Sequence, residues 1–371
     1  MTSTAGGSDR VPVTTVCGPL GAGKTTLVNR LLEAPGGRRL GLVVNDMGEV
    51  NVDAELLDDA ENGVVDLSNG CICCRLGDDL RDQLSSLAER RDLDAIVVEA
   101  SGISEPIPIA QTITGAGESG EVPPGVYLDT MVSVVDSYGF WKEFDDEESA
   151  PGGEPARPLA DILVDAIEFC DVLLLNKSDM VPDDVRDRLN AIARRLQPRA
   201  SIHRTEYSNV DVDTVIDTGR FDYDAARRRQ GWKRALSGEE GHDHDGEGEH
   251  GHEEGAAAAH GITSFVYNRR DPFHPDRVNA WLDEWDGDIV RAKGFMYVAS
   301  RPDEVIGMSQ AGPSVQAGPI GEWGDDDPAT RLVFIGTDLD EKRLRAELND
   351  CVITDAERGR TWDGDPFPRE S

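Results

Sequence analysis

The sequence predicts an α/β fold: a doubly wound, mostly parallel sheet, followed by a small α+β domain. Two observations carry this. Short apolar or β-branched runs alternate with amphipathic stretches through residues 11–237. A low-complexity segment at 238–261 then breaks the pattern, and a second set of strands and helices restarts at Ile262. Strands alternating with helices argue for a parallel sheet covered on both faces.

The elements follow in order. VPVTTVC, Val11–Cys17, is β-branched and runs into a glycine, as a buried strand does. A helix is expected from Lys24 to about Leu32. RRLGLVVND is a second strand, centred on Leu42–Val44. DDLRDQLSSLAERRD is an amphipathic helix with Leu80, Leu84 and Leu87 on one face. LDAIVVEASG and YLDTMVSVVDS are the third and fourth strands. LADILVDAIEFC is a helix, DVLLLNKSD a fifth strand, PDDVRDRLNAIARRL a helix after Pro182, and RASIHRTEY a last short strand. Two acidic Gly/Pro-rich stretches, Gly115–Gly125 and Asp145–Pro158, read as surface loops. Beyond Ile262, strands ITSFVYNRR, DIVRAKGFMYVAS, EVIGMSQAG and TRLVFIGTD, with helices DPFHPDRVNAWLDEW and DEKRLRAELNDC, make an antiparallel sheet with helices. The expected limits are a disordered tail at 1–10, a first domain at 11–237, a linker at 238–261, a second domain at 262–355 and a polar tail at 356–371. That last stretch is expected to fray.

Composition narrows the function classes. The chain has 371 residues and a net charge of −35, from 37 basic and 72 acidic side chains. Such a surface repels nucleic acid and anionic lipid, so neither is an expected partner. The excess of acid is spread along the chain and reads as salt adaptation, a halophilic trait. No apolar run is long enough to span a membrane. The first ten residues, MTSTAGGSDR, have no basic or apolar region of a signal peptide, so a cytoplasmic location is expected. Oligomeric state is not legible.

GPLGAGKTT, Gly18–Thr26, matches the phosphate-loop pattern and lies after a strand and before a helix. Gly18, Gly21, Ala22, Gly23, Lys24, Thr25 and Thr26 would cradle the phosphates through backbone N–H groups at the helix start. Lys24 would reach the β- and γ-phosphates, and the Thr25 hydroxyl would ligate Mg²⁺. NKSD follows a buried strand. There the Asp179 carboxylate can accept from guanine N1–H and its exocyclic amine, and the Lys177 stem can cover the ring. With Asn176, these residues select GTP over ATP. EASG ends the third strand. Glu99 would hold the Mg²⁺ shell or orient the attacking water, and Gly102 would let the backbone approach the γ-phosphate.

Cys71, Cys73 and Cys74 form a C-x-C-C cluster. Three thiolates in one tight turn suit Zn²⁺ with an open fourth position, for which water, Asp46, Glu49 or a linker histidine are candidates. A redox pair or simple packing are the competing readings. Cys17, Cys170 and Cys351 each sit in or beside an apolar run and read as buried hydrophobes. Five of the seven histidines, His242, His244, His250, His252 and His260, lie in the linker. There they could collect Zn²⁺, Ni²⁺ or Co²⁺ weakly, or only be solvated. VVNDMGEVNVDAELL, Val43–Leu57, lies where a nucleotide-sensitive switch belongs.

Taken together and in this order, GPLGAGKTT, NDMGEVNVD, GCICC, EASGISEP and NKSD resemble the CobW-like family of P-loop GTPases, in its metal-handling branch. RAKGFMYVASRPDEVIGMSQAGPSV resembles that family's C-terminal domain. The resemblance implies a GTPase domain, a His-rich linker and GTP-dependent delivery of a metal, often zinc, to a client metalloprotein. It makes Cys71, Cys73 and Cys74 the metal motif and Glu99–Gly102 the E-x-x-G box. One departure is Asp46–Met47, where the family usually has glutamate and an aromatic. The expected activity is slow hydrolysis of GTP to GDP and phosphate. Two alternatives remain: a zinc buffer with a vestigial nucleotide site, and a cobalt chaperone for corrinoid synthesis.

Overall fold

The computed structural model describes residues 10–44, 76–90, 93–102, 104–116, 120–145, 159–223, 262–283, 289–312, 314–324, 327–362 and 364–368. Contacts divide the chain into two compact units. One takes the described residues of Met1–Tyr138, Asp165–Pro182 and Arg199–Arg227. The other takes those of Gly139–Val164, Asp183–Pro198 and Arg228–Ser371.

The first unit is built on a six-stranded sheet. Its strands are β1 (Val11–Cys17), β2 (Leu40–Val44), β3 (Ala95–Glu99), β4 (Val126–Asp136), β5 (Val172–Asn176) and β6 (Ser201–Arg204). They run in the order β2-β3-β1-β4-β5-β6, and every pairing is parallel. Strand residues alternate between faces. Ile96 and Val98 join one buried cluster, while Ala95 and Val97 join another. On the second of these faces α1 (Lys24–Glu33) buries Leu27, Val28 and Leu31. On the first, α2 (Leu76–Ala88) contributes Leu80, Leu84 and Leu87, and α3 (Pro106–Thr114) contributes Ile109, Ala110 and Ile113. Each fully buried aliphatic side chain contributes about 1.5–3 kcal/mol, so both faces are strongly specified. The sheet is therefore doubly wound, as the alternation predicts. Its order turns at β1, with β3 on one side and β4 on the other, and ligands bind such folds outside the carboxyl ends of strands at a turning point of this kind.

Two helices escape the sequence reading. α3 opens with Pro106 at its first turn, where a missing N–H costs nothing, although PIPIAQTIT looks broken by its prolines. α4 (Ser137–Asp145) follows β4 directly. α5 (Leu159–Glu168) and α6 (Asp183–Leu196) match their expected positions.

The second unit holds a five-stranded antiparallel sheet. Its strands are β7 (Ile262–Arg269), β8 (Ile289–Met296), β9 (Glu304–Ala311), β10 (Ser314–Glu322) and β11 (Thr330–Thr337), in the order β10-β9-β8-β11-β7. β10 was not expected as a strand. Gly318, Pro319 and Gly321 interrupt its pattern, and it survives as an edge strand with a register shift beside Pro319. α7 (Pro275–Asp283) and α8 (Glu341–Cys351) cover an aromatic core that includes Phe265, Phe273 and Phe334. α6 packs against β7 and β11, and the Arg195 guanidinium donates to the Ser264 hydroxyl.

The polar stretch after Asp355 does not fray over its described part. Phe367 is buried in the core of this unit, and Asp365 is tied to Arg301. An aromatic anchor and a charge-assisted pair outweigh the entropy of ordering a few residues. The His-rich linker lies outside the described residues.

Candidate nucleotide and metal site

The site begins at the end of β1. Gly23 caps α1 with φ 109 and no side-chain cap, so the N–H groups of the first turn are left for an anion. A Cβ at Gly23 would stand 2.4 Å from the Asn176 amide nitrogen and 2.8 Å from the Ser208 hydroxyl. Only glycine fits both the left-handed backbone and that approach. Lys24 is 6% exposed, and its ammonium donates to the carbonyls of Gly18 (3.0 Å) and Pro19 (3.1 Å). The loop thus holds its own lysine at the rim of a cavity of about 230 Å³.

The Glu99 carboxylate closes the other side of that cavity. It is 8% exposed and accepts from the Thr25 hydroxyl at 2.6 Å. A hydroxyl and a carboxylate side by side are hard oxygen donors of the kind Mg²⁺ takes. Gly102 lies against the phosphate loop: a Cβ there would stand 2.7 Å from the Leu20 nitrogen. Gly21, Gly23, Lys24, Thr25, Thr26, Glu99 and Gly102 all line this cavity, as do Leu20 and Val44. Ala22 is fully buried behind it.

NKSD follows β5 at the same sheet edge. Asn176 is 2% exposed and faces the phosphate loop, donating to the Ala22 carbonyl at 2.9 Å. Its carbonyl accepts from the Ser208 N–H (2.7 Å) and the Thr205 hydroxyl (3.1 Å). Ser208 in turn donates from its hydroxyl to the Gly23 carbonyl at 2.9 Å. Asn176 therefore braces two loops. Lys177 adopts φ 55, and its ammonium pairs with the Asp136 carboxylate at 2.6 Å. Asp179 is exposed. Tyr207 and Ser208, both at positive φ, shape the neighbouring loop and leave Tyr207 69% exposed.

Sequence reasoning missed Asp136, Thr205 and Ser208. The only signal was a Ser/Asn-containing turn after β6. Cys71, Cys73, Cys74, Asp46 and Glu49 lie outside the described residues. Cys17, Cys170 and Cys351 are buried thiols, and burial pushes Cys17 up to about 12, the state of an inert packing residue.

Residues 12–204 match the CobW/HypB/UreG nucleotide-binding domain, and residues 262–352 match the cobalamin synthesis protein cobW C-terminal domain. The chain belongs to the CobW/HypB/UreG family. Among the relatives of this CobW-family chain is zinc-regulated GTPase metalloprotein activator 1 of Dictyostelium discoideum. It is 33% identical over 412 residues, spanning 96% of this chain and 84% of that protein. Zinc chaperone CobW of a Sinorhizobium species is 29% identical over 375 residues, covering 95% and 100%. Zinc chaperone YjiA of Escherichia coli is 26% identical over 348 residues, covering 91% and 97%. Among the described residues of this CobW-family chain, no helix is long and apolar enough to cross a membrane.

Proposed function

We propose that this chain is a GTP-dependent metallochaperone that carries Zn²⁺ to a client protein. One observation carries the nucleotide half of the reading. The phosphate loop, the Thr25–Glu99 pair and the loop bearing Asp179 converge on one sheet edge, with Asn176 bonded to the loop that holds Lys24. The metal half rests on relatives named as zinc chaperones and on the C-x-C-C sequence of Cys71, Cys73 and Cys74.

In this reading Lys24 leaves the Gly18 and Pro19 carbonyls for the β- and γ-phosphates. Both states are charge-assisted hydrogen bonds, so the exchange costs little. Thr25 and Glu99 would hold Mg²⁺, which supplies positive charge beside the phosphate oxygens. Alternatively, Glu99 orients the attacking water. Asp179 accepts from the guanine edge, and Asp136 keeps the Lys177 stem in place beneath it. Turnover is slow, because no residue of this set is a strong base. Hydrolysis alters the segment from Val43 to Leu57, and with it the ligands around the three thiols, where Asp46 or Glu49 can join. The client then takes the metal.

The test is Zn²⁺ affinity by chelator competition, in high salt and under reducing conditions. It is measured with a non-hydrolysable GTP analogue and then with GDP. We expect a shift of about tenfold, or about 1.4 kcal/mol of coupling, that Cys73→Ser abolishes. Equal affinities in both nucleotide states would leave a zinc-binding protein without a nucleotide switch. A parallel titration with Co²⁺ decides the cargo: tighter nucleotide-coupled binding of Co²⁺ would replace zinc by cobalt.

A further inference from the structure

Tyr207 sits on a loop, residues 205–209, whose backbone is tied down on both sides. At its start the Thr205 N–H donates to the Leu175 carbonyl of β5 (2.9 Å), and the Thr205 carbonyl accepts from the Ser178 N–H (3.1 Å). Ser178 stands beside Asp179 in NKSD. On the far side Ser208 is fully buried, with its N–H on the Asn176 side chain and its hydroxyl on the Gly23 carbonyl. The Asn209 N–H closes the turn on the Glu206 carbonyl (3.0 Å). Tyr207 is thus one residue from a contact with the phosphate loop and two residues from a contact with NKSD. Its side chain is nevertheless 69% exposed, with no hydrogen bond, ion pair or ring contact to another described residue. Its backbone adopts φ 51, a left-handed conformation that strains a bulky residue and suits glycine. Packing does not offset that strain, since the ring lies in solvent. Strain of this kind gathers where a ligand is clamped.

The sheet order gives the flank on which Tyr207 stands. β5 lies between β4 and β6, and all three run parallel, so their carboxyl ends share one edge. Lys177, just after β5, is drawn to the β4 side, where Asp136, the last residue of β4, holds its ammonium. Tyr207 rises from the β6 side. A base bound by Asp179 over the end of β5 therefore has the Lys177 stem on one flank and Tyr207 on the other. We propose that Tyr207 is a base-contact residue, whose ring stacks on the face of the bound nucleobase away from Lys177. Stacking is favourable for any base, because every base offers a π-face to an aromatic ring. Tyr207 then supplies affinity, while Asp179 supplies the choice of guanine. The inference rests on the proposed nucleotide reading only in placing a base beside Asp179.

The experiment measures GDP binding to the full chain by isothermal titration calorimetry, with Tyr207→Phe and Tyr207→Gly beside the unaltered protein. Inorganic tripolyphosphate, which carries phosphates but no base, is titrated in parallel. Tyr207→Phe should bind GDP within about twofold of the unaltered chain, because the ring face is kept. Tyr207→Gly should weaken GDP binding by about tenfold and leave tripolyphosphate unchanged. Its melting temperature should stay close to that of the unaltered chain, because glycine relieves the left-handed backbone while loosening the unfolded chain. Equal GDP affinity in Tyr207→Gly and the unaltered chain would overturn the proposal. A parallel loss of tripolyphosphate affinity, or a clearly lower melting temperature, would also overturn it and make Tyr207 a brace of its loop. If Tyr207→Gly does not fold, Tyr207→Asn, which tolerates the same backbone, decides by the same criteria. ADP is titrated on the same samples. A preference for ADP in the unaltered chain would count against the guanine reading and not against Tyr207, whose test is then read on ADP. Binding of tripolyphosphate with neither nucleotide would overturn both.

Discussion

The two units dispose of their buried polar groups in opposite ways. In the first, Lys24, Glu99 and Ser101 are nearly buried and line a cavity at the carboxyl end of a parallel sheet. Lys24 donates to two loop carbonyls and Glu99 accepts from the Thr25 hydroxyl, bonds that an anion or a cation can replace. In the second, Arg301 and Asp365 are each about 5% exposed in their side chains and close on one another. Glu357, which is partly exposed, is claimed by Arg277 and by both donors of Thr354. A converging set around open space marks a site where ligands exchange. A mutually satisfied set marks a place where chain is held. The lesson is that burial of charge does not by itself distinguish binding from bracing; what matters is whether the partners are complete.

Breaking the closed set should give the largest effect. Arg301→Leu would strand the Asp365 carboxylate and lose the grip on the buried Phe367 segment. We expect about 3–5 kcal/mol of destabilisation, read by urea unfolding of the second unit. A change within a few tenths of a kcal/mol would mean the pair is not needed to hold the segment. In the open set, Lys24→Ala should leave stability nearly unchanged but lower GTP hydrolysis about a hundredfold or more, since one phosphate-stabilising donor is lost. Wild-type turnover in that variant would remove Lys24 from the phosphate site.

A brace within the first unit sharpens the contrast. Asn176→Ala would orphan the Ala22 carbonyl, the Ser208 N–H and the Thr205 hydroxyl. The expected cost is about 1–3 kcal/mol in thermal unfolding, with weaker binding of guanine nucleotide as the loops loosen. Loss of binding with no loss of stability would instead make Asn176 a direct ligand contact. Acid should act on the closed set with the smallest effect. The Thr354 N–H and hydroxyl, with Arg277, hold Glu357 down at about 2, and Arg301 holds Asp365 below the usual carboxylate range. Both folded values lie below the unfolded ones. Their contribution is thus complete above the ordinary carboxylate range, near pH 4.5, and is lost as pH falls toward about 2. Melting temperatures from pH 4.5 down to 2.5 should fall less steeply in Glu357→Gln than in the unaltered protein. The same slope in both proteins would sink the assignment.

Most strands were legible because their apolar runs are short, β-branched and separated by turns. What failed had a local cause. The sequence reading passed over α3, whose Pro106 sits harmlessly in its first turn, and Gly318, Pro319 and Gly321 hid the edge strand β10. The phosphate loop and NKSD were legible for the opposite reason: each is a few consecutive residues whose chemistry is fixed by one backbone shape.

The sequence by itself therefore singled out the candidate residues for phosphate, base and metal. Only the tertiary structure decided which residues brace one another around the site. It turned Asn176 toward Ala22, seated Gly102 against Leu20, recruited Ser208 to Gly23 and, in the second unit, gave Arg301 the segment at Phe367. Those partners stand 64 to 185 positions apart along the chain. No periodicity or motif encodes a pairing at that distance. In the first unit it is set by parallel strands bringing their carboxyl ends to one edge, and in both units by the cost of leaving a buried donor without an acceptor.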